Sequence, residues 1–120
     1  IDAIAPLWPL VKSGRLQALA VTADKPVPGM ESLPLAKDTV PGLTVSGWFM
    51  LFAPKGTPQA RVDSLNAAVN DALKSPALIQ KFQTQANFPV GGSVSAAQDF
   101  LAREKKLWAS VAQRAGLKPE

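Results

Sequence analysis

The sequence predicts an α/β fold in which helices pack on buried strands. The segment 45–53, with a continuous aromatic and aliphatic run at Trp48–Ala53, has the length of a strand, is too short to span a membrane, and is followed directly by a Pro/Gly turn. Helical periodicity begins immediately after that turn. A strand buried on both faces and followed by a helix is typical of α/β layers and not of β-sandwiches.

The N-terminal elements are predicted to be a helix and then a strand. The helix covers about Ala5–Ser13, with Pro6 tolerated in the first turn and Gly14 in the position just after a helix end. We expect Leu16–Thr22 to form a buried strand. A helix ending in glycine, a short link and a buried strand make one half of a βαβ unit.

The segment 24–41 is predicted to be a surface loop, because prolines and a glycine interrupt any long element: Pro26, Pro28, Gly29, Pro34 and Pro41. One short helical turn is expected near Leu35–Asp38. Beyond the strand at 45–53, Gly56 can adopt the positive φ of a tight turn. Thr57 is expected to accept a hydrogen bond from the helix that follows, with Pro58 at its first position.

Three helices are predicted after this turn. The first runs over Pro58–Lys74, and the second has Ser75 as its N-cap, Pro76 as its first residue, and ends near Gln85. A short extended piece at 88–90 and the pair Gly91-Gly92 lead to a capping box, Ser95-Ala96-Ala97-Gln98. The last helix ends near Ala115, before Gly116. Its inward residues are expected to be Phe100, Leu101, Leu107, Trp108 and Val111.

The composition restricts the chemistry that the chain can perform. It contains no Cys, His or Tyr, which excludes thiol chemistry, the usual Cys/His zinc sites and catalysis by imidazole. Several acidic residues lie on predicted outward helix faces and are too dispersed for a paired acid/base site: Asp63, Asp71, Asp99 and Glu104. The composition therefore argues against an enzyme, although a mechanism that uses only Lys or carboxylate groups stays open.

The formal net charge of +4 raises the question of nucleic-acid binding. Most basic residues are spread singly along the chain, and only Arg103, Lys105 and Lys106 cluster, with Glu104 among them. Surfaces that follow a phosphate backbone are usually denser and carry interleaved aromatic side chains. The pattern favours a solvated helix face and no nucleic-acid partner.

Several motifs in one order give a more specific indication. They are Gly14-Arg15-Leu16-Gln17-Ala18-Leu19-Ala20-Val21-Thr22, Leu33-Pro34, Pro41-Gly42-Leu43-Thr44-Val45-Ser46-Gly47-Trp48-Phe49, Ala53-Pro54-Lys55-Gly56-Thr57-Pro58, Leu65-Asn66-Ala67-Ala68 and Trp108. In these motifs the chain resembles the C-terminal part of the Bug-type solute receptors, the extracytoplasmic binding proteins of tripartite tricarboxylate transporters. The similarity covers essentially all of this chain.

The resemblance implies part of a type II periplasmic-binding-protein fold, the Venus-flytrap fold, with three-layer α/β lobes. Residues 1–44 would end one lobe with a helix, a strand and a Pro-rich loop. Residues 45–54 would be the inter-lobe strand, and residues 55–120 would be helices packing on the other lobe.

The resemblance also implies a function, that of a binding module that is not an enzyme and uses no metal or cofactor. The protein would be a periplasmic receptor that captures a small carboxylate by lobe closure and presents it to the membrane permease subunits of a transporter. The alternative is a self-associating, non-catalytic interaction domain, in which exposed apolar surface forms a homo-oligomer.

Three residues are candidates for ligand contact under the resemblance: Asp2, Ala5 and Trp48. Asp2 matches an acidic position near the cleft in relatives, although an Asp before a helix also serves as an N-cap. Trp48 would line the cleft, or else pack in the core or hinge. For the Thr22 and Ser46 hydroxyls a local bond to backbone is favoured over a carboxylate contact. Lys25 and Lys37 are interpreted as solvated loop charges.

Overall fold

The computed structural model describes residues 1–117. Five helices lie in this range: α1 (Ile4–Lys12), α2 (Ala36–Thr39), α3 (Gln59–Ala72), α4 (Pro76–Thr84) and α5 (Val94–Arg114). The chain divides into two compact units, one spanning Ile1–Phe49 and the other beginning at Met50. The boundary falls inside the segment 45–54, for which the inter-lobe role implied by the resemblance stays a prediction.

The first helix forms where its pattern predicts it, and it contains Pro9. Gly14 has φ of +72° just after the helix. The N–H groups of Gly14 and Arg15 donate to the carbonyls of Val11 and Leu10, at 3.0 and 2.9 Å. This pair of bonds is a Schellman ending, which satisfies carbonyls that have no partner further along the helix.

The buried apolar side chains among residues 1–117 are Val21, Val27 and Met30, each 5–6% exposed. The prediction of a surface loop at 24–41 is confirmed for most of the segment, which is irregular and exposed, but it is wrong for Val27 and Met30. Two successive turns, closed by Met30 N to Val27 O at 2.9 Å and Leu33 N to Met30 O at 3.0 Å, fold this segment into the core of the first unit. The short helix α2 follows, close to the helical turn expected at Leu35–Asp38.

The predicted strand Leu16–Thr22 is also wrong, since it is reduced to one isolated parallel bridge between Val21 and Leu35. Val21 N donates to Pro34 O at 3.0 Å, and Ala36 N donates to Val21 O at 2.8 Å. A strand needs a partner along its whole length. The described residues supply one only at the end of this segment.

The central segment 45–53 does not form the strand predicted for it either. Phe49 is 95% exposed, and Leu51 and Phe52 are exposed as well, so the expectation of burial on both faces is wrong for residues 1–117. Val45 N donates to Thr22 O at 2.9 Å, but residues 49–53 take part in no backbone hydrogen bond within the described chain. Without neighbouring strands the segment is only partly covered: Met50 is half-buried and Trp48 is 38% exposed.

Helix α3, the first helix of the second unit, begins one residue later than predicted. Gly56 adopts a φ of +87° in the preceding turn, as expected. Thr57 does not cap α3: its Oγ1 donates to Pro54 O at 2.8 Å and so closes the turn. Pro58 is the N-cap of α3 and not its first residue.

Helix α4 starts as predicted, with Ser75 as N-cap and Pro76 in the first turn. It ends at Thr84, and Ala86, two residues further on, has a positive φ of 53°. Asn87 N donates to Phe82 O at 3.0 Å, the bond of a Schellman ending. This position usually carries glycine, because a Cβ is unfavourable in the left-handed region.

Helix α5 is capped by Ser93, so the predicted capping box at Ser95 is wrong. Ser93 Oγ accepts a hydrogen bond from Ala96 N at 3.1 Å. Because Ala96 occupies the third helical position, no side chain there can reach back to complete a box. The helix ends at Gly116 with φ of +69°, as predicted.

The inward face predicted for α5 is only partly correct. Phe100 and Leu101 are half-buried. Trp108 is 47% exposed, and Leu107 and Val111 are similarly exposed. Trp108 Nε1 donates to Glu104 Oε2 at 3.1 Å, one turn earlier on the same helix. In the second unit α5 contacts α3. One neighbouring helix covers only a fraction of the apolar stripe of α5.

Among residues 1–117, no helix has both the length and the apolar character that crossing a bilayer requires.

Candidate ligand-binding site

Two of the three predicted site residues, Asp2 and Ala5, lie together at the start of α1. Asp2 is exposed, and its Oδ1 accepts a hydrogen bond from Ala3 N at 2.7 Å. The N-cap is Ala3, with no side-chain cap. The interpretation of Asp2 as the helix cap is therefore wrong. Its carboxylate remains at the surface and can accept from a water molecule or a ligand donor.

The first turn of α1 offers unused backbone donors. The first three N–H positions of a helix have no intrahelical acceptor, and here Pro6 occupies the third of them and has no N–H. The N–H groups of Ile4 and Ala5 remain without a side-chain cap. Ala5 is exposed. Backbone N–H groups at this positive end of a helix are suited to a carboxylate.

Further along α1, Trp8 is half-buried. The Nζ atom of Lys12 lies 5.8 Å from the centroid of the Trp8 ring. At this distance the cation is attracted to the face of the indole. Both side chains are therefore engaged with each other along α1.

Trp48 belongs to the same unit as Asp2 and Ala5, but to a separate segment at its C-terminal end. The residue is 38% exposed, so some of its surface is covered and some is accessible. This exposure fits a residue that lines a cleft as well as one that packs at a hinge. The structure thus brings Asp2 and Ala5 together at the start of one helix and places Trp48 on a separate segment of the same unit.

The Thr22 hydroxyl bonds to backbone, as predicted, but to a distant segment and not locally. Its Oγ1 donates to Val45 O at 2.8 Å, and Val45 N donates to Thr22 O at 2.9 Å. These two bonds attach the start of the segment leading to Trp48 to the end of the segment 16–22. No pattern in the sequence identifies this pairing in advance.

Lys37 is not a solvated loop charge, which corrects the prediction. Its Nζ donates to Asp24 Oδ1 at 2.9 Å and also to the backbone oxygen of Asp24. The hydrogen bond from Lys37 and then its charge lower the pKa of Asp24 below the ordinary value. Gly29 N likewise donates to Glu31 Oε1 at 2.9 Å and lowers the pKa of Glu31. Both loop carboxylates are engaged within the unit.

The second unit contains a polar cluster that the sequence did not indicate. We call Asn66, Asn70 and Gly92 the asparagine clamp. Asn70 Nδ2 donates to Gly92 O at 2.9 Å, and Gly92 N donates to Asn70 Oδ1 at 2.7 Å. Asn66 Nδ2 donates to the same Gly92 oxygen at 3.0 Å. The one available signal was the spacing of two asparagines four residues apart on α3.

An open depression of about 400 Å³ lies beside the asparagine clamp, lined by Asn70, Leu73, Lys74, Ile79, Pro89, Val90 and Gly91. Lys74 pairs with Asp71 at 3.7 Å, and both side chains are largely exposed. In the clamp itself, the side-chain amides of Asn66 and Asn70 form hydrogen bonds to the Gly92 backbone. We therefore interpret it as a structural device that fixes the segment before α5. No group of three or more potential metal-binding side chains occurs within residues 1–117.

Comparison with known proteins gives consistent matches. A family model described as tripartite tricarboxylate transporter family receptor matches residues 1–117. Protein BugT of Bordetella pertussis is 33% identical over 109 residues, covering 90% of this chain and 33% of BugT. A UPF0065 protein of Bordetella bronchiseptica is 29% identical over 119 residues, covering 99% of this chain and 36% of the relative. The chain thus spans about a third of the length of these curated relatives.

A solved structure described as R. palustris Rpa4515 with adipate matches over 100% of this chain and 40% of its own, with a TM-score of 0.85 and 36% sequence identity. At this level of identity the likeness concerns sequence as well as fold. The match extends over both units of the chain.

Proposed function

We propose a periplasmic receptor function for this chain, because it belongs to the family of tripartite tricarboxylate transporter receptors. In this proposal the chain is the C-terminal portion of a solute-binding protein for a small organic acid. The observation that carries the proposal is the family match over residues 1–117. The R. palustris relative, solved with the dicarboxylate adipate, supports the ligand class.

The proposed site is the exposed start of α1 together with Trp48. The Ile4 and Ala5 N–H groups would donate to one carboxylate of the ligand at the positive end of the helix. The Asp2 carboxylate would accept from a water molecule or from a donor on the ligand, since a direct contact between two carboxylates is repulsive. The Trp48 ring would cover the aliphatic portion of the ligand.

The proposed mechanism is capture by lobe closure. Residues 1–44 and 55–120 would belong to different lobes of a Venus-flytrap fold with three-layer α/β lobes, joined through 45–54. A ligand shifts such a protein toward the closed state only by the additional contacts that it makes there. The closed receptor would then deliver its ligand to the permease subunits of a transporter. No step in this cycle makes or breaks a covalent bond, so we propose no catalytic role.

A chimera tests the proposal. This chain would replace the matching 40% of the R. palustris relative, and adipate binding would be followed by calorimetry. We expect the chimera to bind adipate. Ala5→Pro, which removes one N–H from the first turn of α1, should weaken binding about tenfold, the usual effect of one charge-assisted hydrogen bond.

Ala60→Pro is the matched control, because Ala60 occupies the same second position in α3 and is exposed. It should leave binding unchanged. A folded chimera that binds no dicarboxylate would contradict the receptor function. Equal binding by the chimera and its Ala5→Pro variant would contradict the site but not the function. The isolated chain should bind adipate weakly or not at all, because the second half of the proposed cleft is supplied by the remainder of the receptor.

A further inference from the structure

The Thr22 hydroxyl connects two parts of the first unit that lie 23 residues apart in the chain. Its Oγ1 donates to Val45 O at 2.8 Å, and Val45 N donates to Thr22 O at 2.9 Å. The N–H and the carbonyl of Val45 are therefore both bonded to Thr22. As a result, the peptide groups on both sides of Val45 are held in place.

The hydroxyl takes the place of a backbone donor. In an antiparallel hydrogen-bonded pair, two facing residues exchange two bonds, each running from an N–H to a carbonyl. Here the bond from Val45 to Thr22 exists, but within the described chain the Thr22 N–H has no backbone acceptor. The side-chain hydroxyl supplies the second bond instead. A residue without a hydroxyl at position 22 would hold Val45 on one side only.

Thr22 is itself attached to the core of the first unit. The preceding residue, Val21, is 6% exposed. The Val21 N–H and carbonyl bond to Pro34 O and Ala36 N, at 3.0 and 2.8 Å. Val45 is therefore a point at which the chain is fixed to the core through Thr22.

Two residues, Ser46 and Gly47, separate this fixed point from Trp48. Neither takes part in a backbone hydrogen bond within residues 1–117. A Cβ on Gly47 would meet no atom within 4 Å beyond its chain neighbours, and its φ lies outside the left-handed region, so the local geometry does not require glycine. Glycine leaves this link free to rotate. The direction in which the chain leaves Val45 therefore helps to set the position of Trp48.

We propose that Thr22 is a positioning residue for Trp48, because its hydroxyl holds the Val45 carbonyl and with it the start of the link to the indole. The inference rests on the proposed function, in which the Trp48 ring covers the aliphatic portion of the ligand. Trp48 is 38% exposed, so part of the residue is accessible. Thr22 acts through Trp48 and not on the ligand, since its one hydroxyl proton is already donated to Val45 O.

The fluorescence of Trp48 tests this positioning without any ligand. The full chain would carry Trp8→Phe and Trp108→Phe, which leaves Trp48 as its one tryptophan. Thr22→Val removes the hydroxyl and keeps the branched shape of the side chain. We expect a loss of fluorescence anisotropy and stronger quenching by acrylamide. Thr22→Ser keeps the hydroxyl and should preserve both values, whereas Thr22→Ala, which adds no methyl group, should reproduce the effect of valine.

Thr44→Val is the matched control. Thr44 directly precedes Val45 and is half-buried, like Thr22, but its hydroxyl forms no hydrogen bond within residues 1–117. The same chemical change is thus made next to Val45 without loss of a bond, and the anisotropy of Trp48 should not change. Far-UV circular dichroism verifies that each variant keeps its helices.

The adipate titration of the chimera shows whether this positioning affects binding. Thr22→Val should weaken binding about fivefold, the usual effect of one hydrogen bond, and Thr44→Val should not. In a Trp48→Leu background, Thr22→Val should have no further effect, because a residue that acts through Trp48 has nothing to position there. A purely structural role of Thr22 would weaken binding equally in both backgrounds.

Two outcomes would overturn the proposal. One is equal anisotropy of Trp48 in the Thr22→Val and Thr44→Val variants. The other is an effect of Thr22→Val on adipate binding that is undiminished in the Trp48→Leu background. A chimera that binds no adipate would instead contradict the receptor function, and the ligand-free anisotropy would still decide whether Thr22 positions Trp48.

Discussion

At the scale of single residues, Asn70 shows how one side chain can hold a segment that has no regular secondary structure. Its amide both donates to and accepts from Gly92, as a neighbouring peptide group would. It also restricts the adjacent residue: a Cβ on Gly91 would lie 2.7 Å from Asn70 Oδ1, and Gly91 has a φ of +65°. Glycine is therefore required at position 91 on both counts.

Replacing Asn70 with alanine should lower the free energy of unfolding by about 2 kcal/mol, because two hydrogen bonds to Gly92 are lost together. Asn87→Ala is the control, since the Asn87 side chain forms no hydrogen bond within residues 1–117, and its cost should stay below about 0.5 kcal/mol. Urea denaturation followed by circular dichroism measures both. Equal losses would show that the clamp contributes nothing specific.

The pair formed by Lys37 and Asp24 makes stability dependent on pH. The folded state lowers the pKa of Asp24, so the contribution is present above the ordinary value of 3.8 and is lost as the pH falls through the lower, folded value. Lys37→Gln should therefore destabilise the protein more at neutral pH than in strong acid, where only the bond from Lys37 to the backbone oxygen of Asp24 remains to be lost. Thermal melts from neutral pH to strong acid test whether the destabilisation by Lys37→Gln decreases as the pH falls.

Lys25→Gln provides the comparison for this pair. Lys25 acts on Asp24 only through its charge, and this is the weakest of the influences on the carboxylate. Its replacement should have the smaller effect at neutral pH. A destabilisation by Lys37→Gln that persists unchanged below the folded pKa of Asp24 would contradict the ion pair as its cause.

At the scale of elements, helices were predictable because their signals are local. Ser75-Pro76 marks the start of α4, and Gly14 and Gly116 mark the ends of α1 and α5, as the structure confirms. The start of α5 was ambiguous, since Ser93 and Ser95 are both suitable caps. The choice depends on where the asparagine clamp places Gly92, a long-range contact that no local pattern contains.

The two serines give a matched test of this choice. Ser93→Ala should cost about 1 kcal/mol, the usual value for loss of an N-cap hydrogen bond. Ser95→Ala, a change of the same chemistry within the first turn, should cost less than about 0.3 kcal/mol, since serine is no better than alanine inside a helix. Denaturation midpoints distinguish the two, and the reverse order would restore Ser95 as the cap.

At the scale of the whole molecule, the sequence identified the family but not the pairing of its extended segments. Residues 16–22 and 45–53 have the composition of strands, yet a strand exists only where another segment bonds to it, and residues 1–117 supply such bonds mainly at Val21 and Thr22. The same reasoning applies to the site. The start of α1 is formed locally around Asp2 and Ala5, whereas the role of Trp48 depends on what lies opposite it and remains a prediction.

The unpaired segment at the unit boundary should be the first point of attack by a protease. Chymotrypsin is expected to cleave first at Phe49, Leu51 or Phe52, which are exposed and outside regular structure. Phe82 and Phe100 provide an internal comparison, because both are half-buried within helices. Mass spectrometry of early fragments identifies the site. A first cut inside α4 or α5 would show that a helical region opens more readily than this segment.

The asparagine clamp also makes the second unit sensitive to deamidation of Asn70 during storage. Asparagine amides hydrolyse slowly on storage, and at position 70 this deamidation would exchange the Nδ2 donor for a carboxylate oxygen facing the Gly92 carbonyl, now 2.9 Å away. The hydrogen bond between Asn70 and Gly92 would be replaced by a repulsion between two oxygen atoms. Old preparations would therefore carry a gain of one negative charge together with a loosened start of α5.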